Sequence, residues 1–160
     1  MLPSSPQPRS RIDVFLHFVW ATNKRQHWLS SALEQPIYRC IGEEVSRFGC
    51  RLWAVGGLED HVHALVRFNA TTTLSELMKA VKGTSSTLAR DLTNGEADGW
   101  QNNYAAFSVS RSDLRMVTQY IKNQKARHAA GKLWPSVEDL DFENPNSTCI
   151  YPDAPSDSPF

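Results

Sequence analysis

The stretch GLEDHVHALVRF, residues 57–68, decides the predicted fold because it places two histidines in an apolar run. HVHALVRF is rich in β-branched and aliphatic residues and follows a turn signal, which predicts a strand. Side chains two residues apart on a strand share one face of the sheet, so His61 and His63 point the same way, and adjacent Asp60 is expected to point the other way. The pair is either half of a metal site or a chance occurrence of a short motif.

The segments on either side of this strand alternate between strand and helix patterns. Aromatic and β-branched residues predict strands at residues 12–22, 50–60, 61–68 and 104–110. Apolar residues at helical spacing predict helices at residues 32–49, 71–92 and 112–130, and the first and third of these also have serine caps and glycine stops. The order β-α-β-β-α-β predicts an α+β, ferredoxin-like fold, with an antiparallel sheet, helices on one face and the histidine strand at its centre. The exposed face of such a sheet can bind a partner.

The chain is predicted to contain a leader, one domain and a tail. Its 160 residues suit a single domain with a sizeable core. Residues 1–11 are rich in Pro and Ser and predict a flexible leader, and residues 12–130 contain all the predicted elements. Residues 131–160 are acidic and rich in proline, which predicts an irregular tail.

The net charge is zero, but the charges are unevenly distributed. Residues 1–130 hold 16 of the 17 Lys and Arg residues and 11 of the 17 Asp and Glu residues, which gives +5. Residues 131–160 hold one Lys and six acidic residues, which gives −5. A basic body with an acidic tail can accompany a nucleic-acid partner, and an acidic tail can equally be solvated and without a role. One hypothesis is that the tail folds back over the basic face and inhibits DNA binding.

The composition argues against a membrane protein and against a disulfide-stabilised one. No apolar run is long enough to span a membrane, and the first residues lack the apolar segment of a signal peptide. The three cysteines, Cys40, Cys50 and Cys149, are odd in number and form no CxxC pair. We therefore expect a reduced, cytoplasmic protein without a zinc knuckle.

The third predicted helix carries a second pair of polar candidates. Tyr120 and Gln124 are four residues apart, so they lie on the same helix face, one turn from each other. Val117 and Ile121 share part of that stripe and are expected to pack inward. A tyrosine hydroxyl and an amide oxygen can therefore face the sheet, although each residue taken alone is more often a packing or a solvated residue.

Five motifs then occur in a specific order: HFVWATNKRQ (17–26), EDHVHALVRF (59–68), LSELMKAVKGTSS (74–86), WQNNYAAFSVSRS (100–112) and YIKNQKARH (120–128). Together they resemble the HUH-type single-tyrosine transposases, namely the insertion-sequence tyrosine transposases and the REP-associated tyrosine transposases. The resemblance covers residues 12–128, and its order and spacing are far more specific than the two histidines alone. It implies the HUH endonuclease fold, in which a C-terminal helix carries the catalytic tyrosine.

The resemblance also implies roles for particular residues. Tyr120 would be the nucleophile, and His61, His63 and Gln124 would bind a divalent cation, Mg²⁺ or Mn²⁺. The residue chemistry agrees, because a phenol is a weak nucleophile at neutral pH and a cation can polarise a phosphate. A mixed set of nitrogen and oxygen ligands suits Mn²⁺ or Mg²⁺, with Mg²⁺ favoured in cells.

The implied substrate is single-stranded DNA, usually cut beside a small hairpin, with a 5′-phosphotyrosine link and a free 3′-hydroxyl as the product. The family also implies a homodimer, in which Tyr120 acts with the histidines of its own chain or with those of a second copy. Basic and hydroxyl side chains that can follow a DNA backbone are Lys24, Arg25, Lys79, Lys82, Ser85, Ser86, Arg90, Lys122, Lys125 and Arg127. Trp20, Trp28 and Trp100 are available for stacking on bases, although Trp28 and Trp100 can equally pack in the core. Core packing is expected for Trp53 and Phe68.

Two other interpretations remain. The chain can be a domesticated or inactive ferredoxin-like module that binds hairpin DNA or RNA without cutting it. It can also be a structural ferredoxin-like domain with incidental histidines, although that interpretation does not explain Tyr120 and Gln124 at the required spacing. Phenylalanine at position 120 should abolish cleavage and spare binding under the transposase interpretation, and should change nothing under the other two.

Overall fold

A four-stranded antiparallel sheet forms the centre of the protein in the computed structural model, which describes residues 10–138. Its strands are β1 (Val14–Ala21), β2 (Arg51–Leu58), β3 (His61–Phe68) and β4 (Ala105–Val109). They lie in the order β2-β3-β1-β4, with every neighbouring pair antiparallel. This order and the central place of the histidine strand confirm the predicted ferredoxin-like α+β fold.

Two long helices cover one face of the sheet. Helix α1 (Ser31–Arg47) contains Pro36 near its start, and helix α2 (Leu74–Leu92) begins with a capping box in which Thr73 and Glu76 bond reciprocally to each other's backbone N–H groups. Their apolar sides pack on the residues of β1 and β3 that point toward them. This core comprises, among others, Phe18, Trp20, Ile37, Ile41, Val62, Ala64, Val66, Leu77 and Val81.

Three shorter helices cover the other face, which corrects the expectation that this face is exposed. They are α3 (Leu114–Lys122), α4 (Gln124–Ala130) and α5 (Pro135–Glu138). A second core forms beneath them from residues of all four strands and of α3, extended by two side chains at α5. Its members include Phe15, Val19, Ala54, Leu65, Phe107, Val109, Val117, Ile121, Trp134 and Val137.

The third predicted helix, residues 112–130, differs from the structure in two ways. It begins at Leu114 after a short 3-10 turn at Arg111–Asp113, and not at a Ser112 cap. It also breaks at Asn123, whose φ of −102° and ψ of 19° leave the helical region. The predicted end is confirmed, because Gly131 adopts a left-handed conformation with φ 65° directly after α4.

A glycine on β2 allows α3 to approach the sheet closely. A Cβ atom on Gly56 would lie 2.3 Å from the backbone oxygen of Ile121, so no larger residue fits there without displacing α3. Ile121 follows Tyr120 directly. Gly56 therefore helps to set the depth at which Tyr120 sits above the sheet.

The predicted division into leader, domain and tail falls partly outside the described residues. Residues 1–9 of the predicted leader and 139–160 of the predicted tail are not described. The expectation of an irregular tail is wrong for Pro135–Glu138, because this segment forms α5 and the side chains of Trp134 and Val137 are buried in the core. Among the described residues, no helix combines the length and the apolar character needed to cross a membrane.

Candidate active site

The start of β3 places His61 and His63 on the sheet face that α3, α4 and α5 cover. Both imidazoles are buried, and each has an Nε2 atom without a hydrogen-bond partner among the described residues. Nε2 of His61 lies 3.4 Å from Oε2 of Glu138, and Nε2 of His63 lies 3.3 Å from Oε1 of the same carboxylate. One ligand atom from each of the three residues lies within 4.8 Å of the others. Two imidazole nitrogens that point at one carboxylate can bind a divalent cation, although this set of ligands does not select one ion.

A partner on the far side of each imidazole fixes its orientation. Nδ1 of His61 lies 2.7 Å from Oδ1 of Asp60, and Nδ1 of His63 lies 2.9 Å from Nε2 of His17 on β1. The expectation that Asp60 points away from His61 is wrong, because Asp60 lies in the turn between β2 and β3, where strand alternation does not apply. Outer partners of this kind orient the histidine ligands of metal sites.

The charges of this cluster are set by burial and by its hydrogen bonds. Burial opposes a charge on His61, but its hydrogen bond with Asp60 and its contact with the Glu138 carboxylate raise its pKa to about 9. Burial lowers the pKa of His63 and holds that of His17 well below the ordinary value. Burial also opposes ionisation of Glu138, yet its contacts with His61 and His63 hold its pKa well below the usual range. The cluster therefore contains a half-buried carboxylate that faces two buried imidazoles.

Tyr120 lies beside this cluster and is completely buried. Its hydroxyl donates to the Glu138 carboxylate and accepts from the backbone N–H of Trp134 at 3.2 Å. Its ring stacks on the Trp134 indole at 3.9 Å between centroids, and the Arg127 guanidinium lies 4.9 Å from its centre. Burial and the hydrogen bond to Glu138 raise the pKa of Tyr120 above its ordinary value. The phenol is thus protonated and covered, with an acceptor for its proton in place.

Gln124 and His128 border the cluster on α4. Gln124 is buried, and its Oε1 lies 3.1 Å from Nε2 of His128, while its Nε2 donates to the backbone oxygen of Tyr120 at 3.5 Å. His128 also reaches Glu138, with 3.6 Å between Nε2 and Oε2. The structure therefore brings Tyr120, Gln124, His61 and His63 into one region, although the Gln124 amide contacts His128.

Three of the predicted DNA-binding residues lie near this region. Arg25 and Lys125 line a cavity of about 490 Å³ that reaches His61 and His128. Arg25 is held 3.4 Å from Asp60, and Lys125 pairs with Glu34 at 2.6 Å. Arg127 lies over the Tyr120 ring. Exposed Lys24 precedes Arg25 in a turn where both residues have positive φ, and exposed Lys122 ends α3.

The other five predicted DNA-binding residues belong to α2, on the opposite face of the sheet. Lys79 and Arg90 are exposed, and Ser86 is half-buried. Lys82 donates to the backbone oxygens of Asn102 and Asn103 at 2.7 and 3.2 Å. Ser85 is buried and therefore not available at the surface. Its hydroxyl donates to the Val81 oxygen at 2.6 Å and accepts from the Trp100 indole at 2.8 Å.

The structure decides between base stacking and core packing for the tryptophans, and it contradicts the expectation for Trp53. Trp20, Trp28 and Trp100 are buried and pack on one another, with Trp28 and Trp100 centroids 4.7 Å apart, so they are not available for base stacking. Trp53, expected in the core, is 40% exposed on edge strand β2 with the Arg51 guanidinium 5.4 Å from its ring. Phe68 is buried, as expected.

Sequence reasoning missed four residues of this region: His17, Asp60, His128 and Glu138. Asp60 and His128 stand inside the quoted motifs but carry no spacing signal of their own. His17 becomes a candidate only when β1 is paired with β3 in the register Val19 to His63, which places both rings on one face. Glu138 was assigned to the acidic tail, and only the packing of α5 brings it to the histidines.

Comparisons with known proteins agree with this fold. Residues 10–124 match the family described as "Transposase IS200 like". A crystal structure of a candidate transposase from Deinococcus radiodurans R1 is 21% identical, with a TM-score of 0.59 over 75% of this chain and 97% of that one. A REP-associated tyrosine transposase bound to a REP hairpin is 17% identical, with a TM-score of 0.54 over 82% of this chain and 80% of that one. No curated protein matches the sequence.

The ferredoxin-like fold of this chain is shared with these two transposase structures. The match covers most of the chain, so the chain belongs to the IS200-like transposase family. The predicted family and fold class are thereby confirmed.

Proposed function

We propose that this protein is a metal-dependent strand transferase that cuts and rejoins single-stranded DNA through Tyr120. The observation that carries the proposal is one largely buried cluster that joins a tyrosine hydroxyl, the Nε2 atoms of two imidazoles and a carboxylate. This cluster occurs in a member of a transposase family. A nucleophile, a proton acceptor and a cation site within contact of one another are the parts that such a reaction needs.

The proposed cation ligands are His61 and His63, through their Nε2 atoms. The third ligand is Gln124, as the family resemblance implies, or Glu138, which lies against both imidazoles. When bound, Mg²⁺ or Mn²⁺ would polarise the scissile phosphate and offset the charge that develops in the transition state.

The proposed reaction is an in-line displacement at phosphorus. The Tyr120 oxygen forms a bond to phosphorus while the bond from phosphorus to the 3′ oxygen breaks. The proton of Tyr120 passes to Glu138, which already accepts its hydrogen bond, and the departing 3′ oxygen takes a proton from solvent. The products are a 5′-phosphotyrosine link and a free 3′-hydroxyl. Attack of a 3′-hydroxyl on this link rejoins a strand without ATP, because the link conserves the energy of the phosphodiester.

The proposed substrate is single-stranded DNA next to a hairpin. The hairpin-bound REP-associated neighbour supports this choice, as do the basic residues beside the cavity at His61. Arg25 and Lys125 are each paired with an acidic residue, so DNA phosphates would have to replace those carboxylates. A homodimer joined through the sheet edges is also proposed from the family resemblance, and β2 and β4 are the two edge strands.

The second candidate function is a module that binds hairpin DNA or RNA without cutting it. The observation that favours it is the complete burial of Tyr120 beneath Trp134, since a phosphate cannot reach a hydroxyl enclosed in this way. The strand-transferase proposal therefore requires that the segment around Trp134 move when DNA binds.

The deciding experiment is a denaturing gel for a covalent protein–DNA adduct. Purified protein with Mg²⁺ or Mn²⁺ is mixed with labelled single-stranded oligonucleotides from the DNA that flanks its gene, including any hairpins. We expect an adduct that disappears in Tyr120→Phe and in His61→Ala, while both variants still bind DNA. Tyr38→Phe is the matched control and should leave the adduct unchanged. Binding without an adduct, for every flank and both metals, would establish the non-cutting module instead.

A further inference from the structure

The second partner of the histidine pair, His17, has no role in the proposed reaction so far. It lies in the middle of β1, is completely buried, and places its Nε2 atom 2.9 Å from Nδ1 of His63. We propose that His17 is a positioning residue. Its Nε2 atom accepts a hydrogen bond from Nδ1–H of His63, and this leaves Nε2 of His63 unprotonated and directed at the cation. The inference rests on the proposed metal site.

The direction of this hydrogen bond follows from the chemistry of a neutral imidazole. Such a ring carries one N–H donor and one lone-pair acceptor, and a metal ligand must use the lone pair. If Nε2 of His63 binds the cation, its proton must be on Nδ1, so His63 is the donor toward His17. Nε2 of His17 must then be the acceptor, and the proton of His17 must be on its Nδ1.

The two ligand histidines have outer partners of different charge, and their burial explains the difference. His61 faces the Asp60 carboxylate, which is 18% exposed and also meets Arg25. The position behind His63 is completely buried, where an ionised carboxylate would carry a large desolvation cost. A neutral imidazole accepts the same hydrogen bond there without adding a charge. The geometry of β1 supplies it, because Val19 pairs with His63 and His17, two residues before Val19, lies on the same face.

The alternative is that His17 only fills space in the core. Its ring lies 6.0 Å from the Phe107 ring and 5.1 Å from the His63 ring, so it contributes to packing in either case. A packing role depends on the volume at position 17, whereas a positioning role depends on an acceptor atom near Nδ1 of His63. Two variants of similar size separate these roles: His17→Gln keeps an acceptor oxygen, and His17→Leu removes it.

The test measures Mn²⁺ affinity of the full chain by electron paramagnetic resonance of the free ion, without any DNA. We expect His17→Leu to weaken Mn²⁺ binding about tenfold or more, within the range seen for outer partners of metal ligands, and His17→Gln to stay close to the native affinity. Phe107→Leu is the packing control, since it disturbs the surroundings of His17 and leaves the acceptor in place. Equal affinities of the native and His17→Leu proteins would overturn the proposal, as would an equal loss in folded His17→Gln and His17→Leu.

A second measurement does not depend on the folding of a variant. Nitrogen-15 NMR of the imidazole rings in the native, Mg²⁺-loaded protein should place the proton of His17 on Nδ1 and show Nε2 as an acceptor. A proton on Nε2 of His17 in that state would overturn the proposal. Failure of the underlying metal site is distinguishable, because the native protein would then bind Mn²⁺ no better than His61→Ala.

Discussion

The histidine half and the tyrosine half of the site differ in how ready they are for a substrate. His61 and His63 lie on a central strand, and their Nδ1 atoms are hydrogen-bonded to Asp60 and His17. Neither Nε2 atom has a hydrogen-bond partner among the described residues. Tyr120 stands on α3 with its hydroxyl bonded to Glu138 and its ring covered by Trp134. The histidine half is therefore preformed, and the tyrosine half is closed.

This difference follows from what holds each half. The strand that bears the histidines has a bonded strand on either side, and its alternate residues enter two separate cores. The cover over Tyr120 is a four-residue helix and the loop before it, anchored mainly by Trp134 and Val137. Segments with few buried contacts open at a lower free-energy cost than core strands do. Opening of α5 would expose Tyr120, the proposed nucleophile, and leave the histidines in place.

Glu138 contacts both the histidines and Tyr120, so we expect its substitution to have the largest effect on the site. We expect Glu138→Gln to weaken Mn²⁺ binding by about tenfold or more, at least ~1.4 kcal/mol, since it removes the only carboxylate in the described cluster. Gln124→Ala is the matched substitution of the other candidate ligand and should have a smaller effect on the same measurement. The opposite ranking would assign the third ligand to Gln124 and would leave Glu138 to the tyrosine half alone.

The same division explains which parts of the site could be predicted from the sequence. The histidine pair was predicted because a two-residue period on a strand is a local signal, and the order of elements then placed that strand at the centre. Glu138 could not be predicted, because a Pro-rich acidic segment resembles a loop until Trp134 and Val137 find their places against α3. The prediction that Asp60 points away from His61 failed for a related reason, since a turn residue does not follow the alternation of the strand beside it.

The break at Asn123 and the partner of His63 also depend on tertiary structure. A helical pattern over residues 112–130 contains no proline, and only the packing of α3 and α4 against β2 decides where it bends. His17 is 46 residues from His63 in sequence, so their contact requires the register of two distant strands. Local sequence patterns predict the faces of elements well, and they predict contacts between elements only when a resemblance supplies the fold.

The cover over Tyr120 can be tested by removing the stacked ring. We expect Trp134→Ala to increase the rate at which Tyr120 is nitrated by tetranitromethane, because the substitution exposes a phenol that is now buried. It should also lower the free energy of unfolding by about 3–5 kcal/mol, the usual cost of a buried Trp→Ala change. Peptide mapping gives the rate for each tyrosine, with Tyr38 and Tyr104 as internal controls. Trp134→Phe keeps an aromatic ring and should show a smaller increase. An unchanged rate at Tyr120 would mean that α5 is not what closes the site.

The pH dependence of DNA binding tests whether Lys82 on α2 contacts DNA, as is proposed for the basic residues beside Tyr120. Burial lowers the pKa of Lys82 to about 8, so this ammonium is charged at pH 7 and largely neutral at pH 9. If Lys82 contacts a phosphate, single-stranded DNA binding should weaken severalfold over that interval, and the salt dependence should fall by about 0.7 in log–log slope. Lys82→Arg should remove the part of the pH dependence that comes from Lys82, since arginine stays charged, and any part from His61, whose pKa is about 9, should remain. A native protein with the same affinity at both pH values would remove Lys82 from the DNA-binding surface and confine the surface to the tyrosine side.

The acidic tail carries the smallest expected effect, and the structure changes how it must be tested. Deletion from residue 131 would remove Trp134, Val137 and Glu138, which belong to the core and the site, so the deletion should begin at residue 139. Residues 139–160 hold five acidic residues and no Lys or Arg: Asp139, Asp141, Glu143, Asp153 and Asp157. If these charges compete with DNA for the basic face, the deletion should tighten DNA binding a few-fold at low salt, and the gain should shrink near 0.15 M salt, where the screening length is about 8 Å.

A full-length chain with Asn or Gln at the five positions separates the effect of the tail's charge from that of its bulk, and it should reproduce the gain. Equal affinities of the deleted and full-length proteins at low salt would show that the tail does not compete with DNA for the basic face.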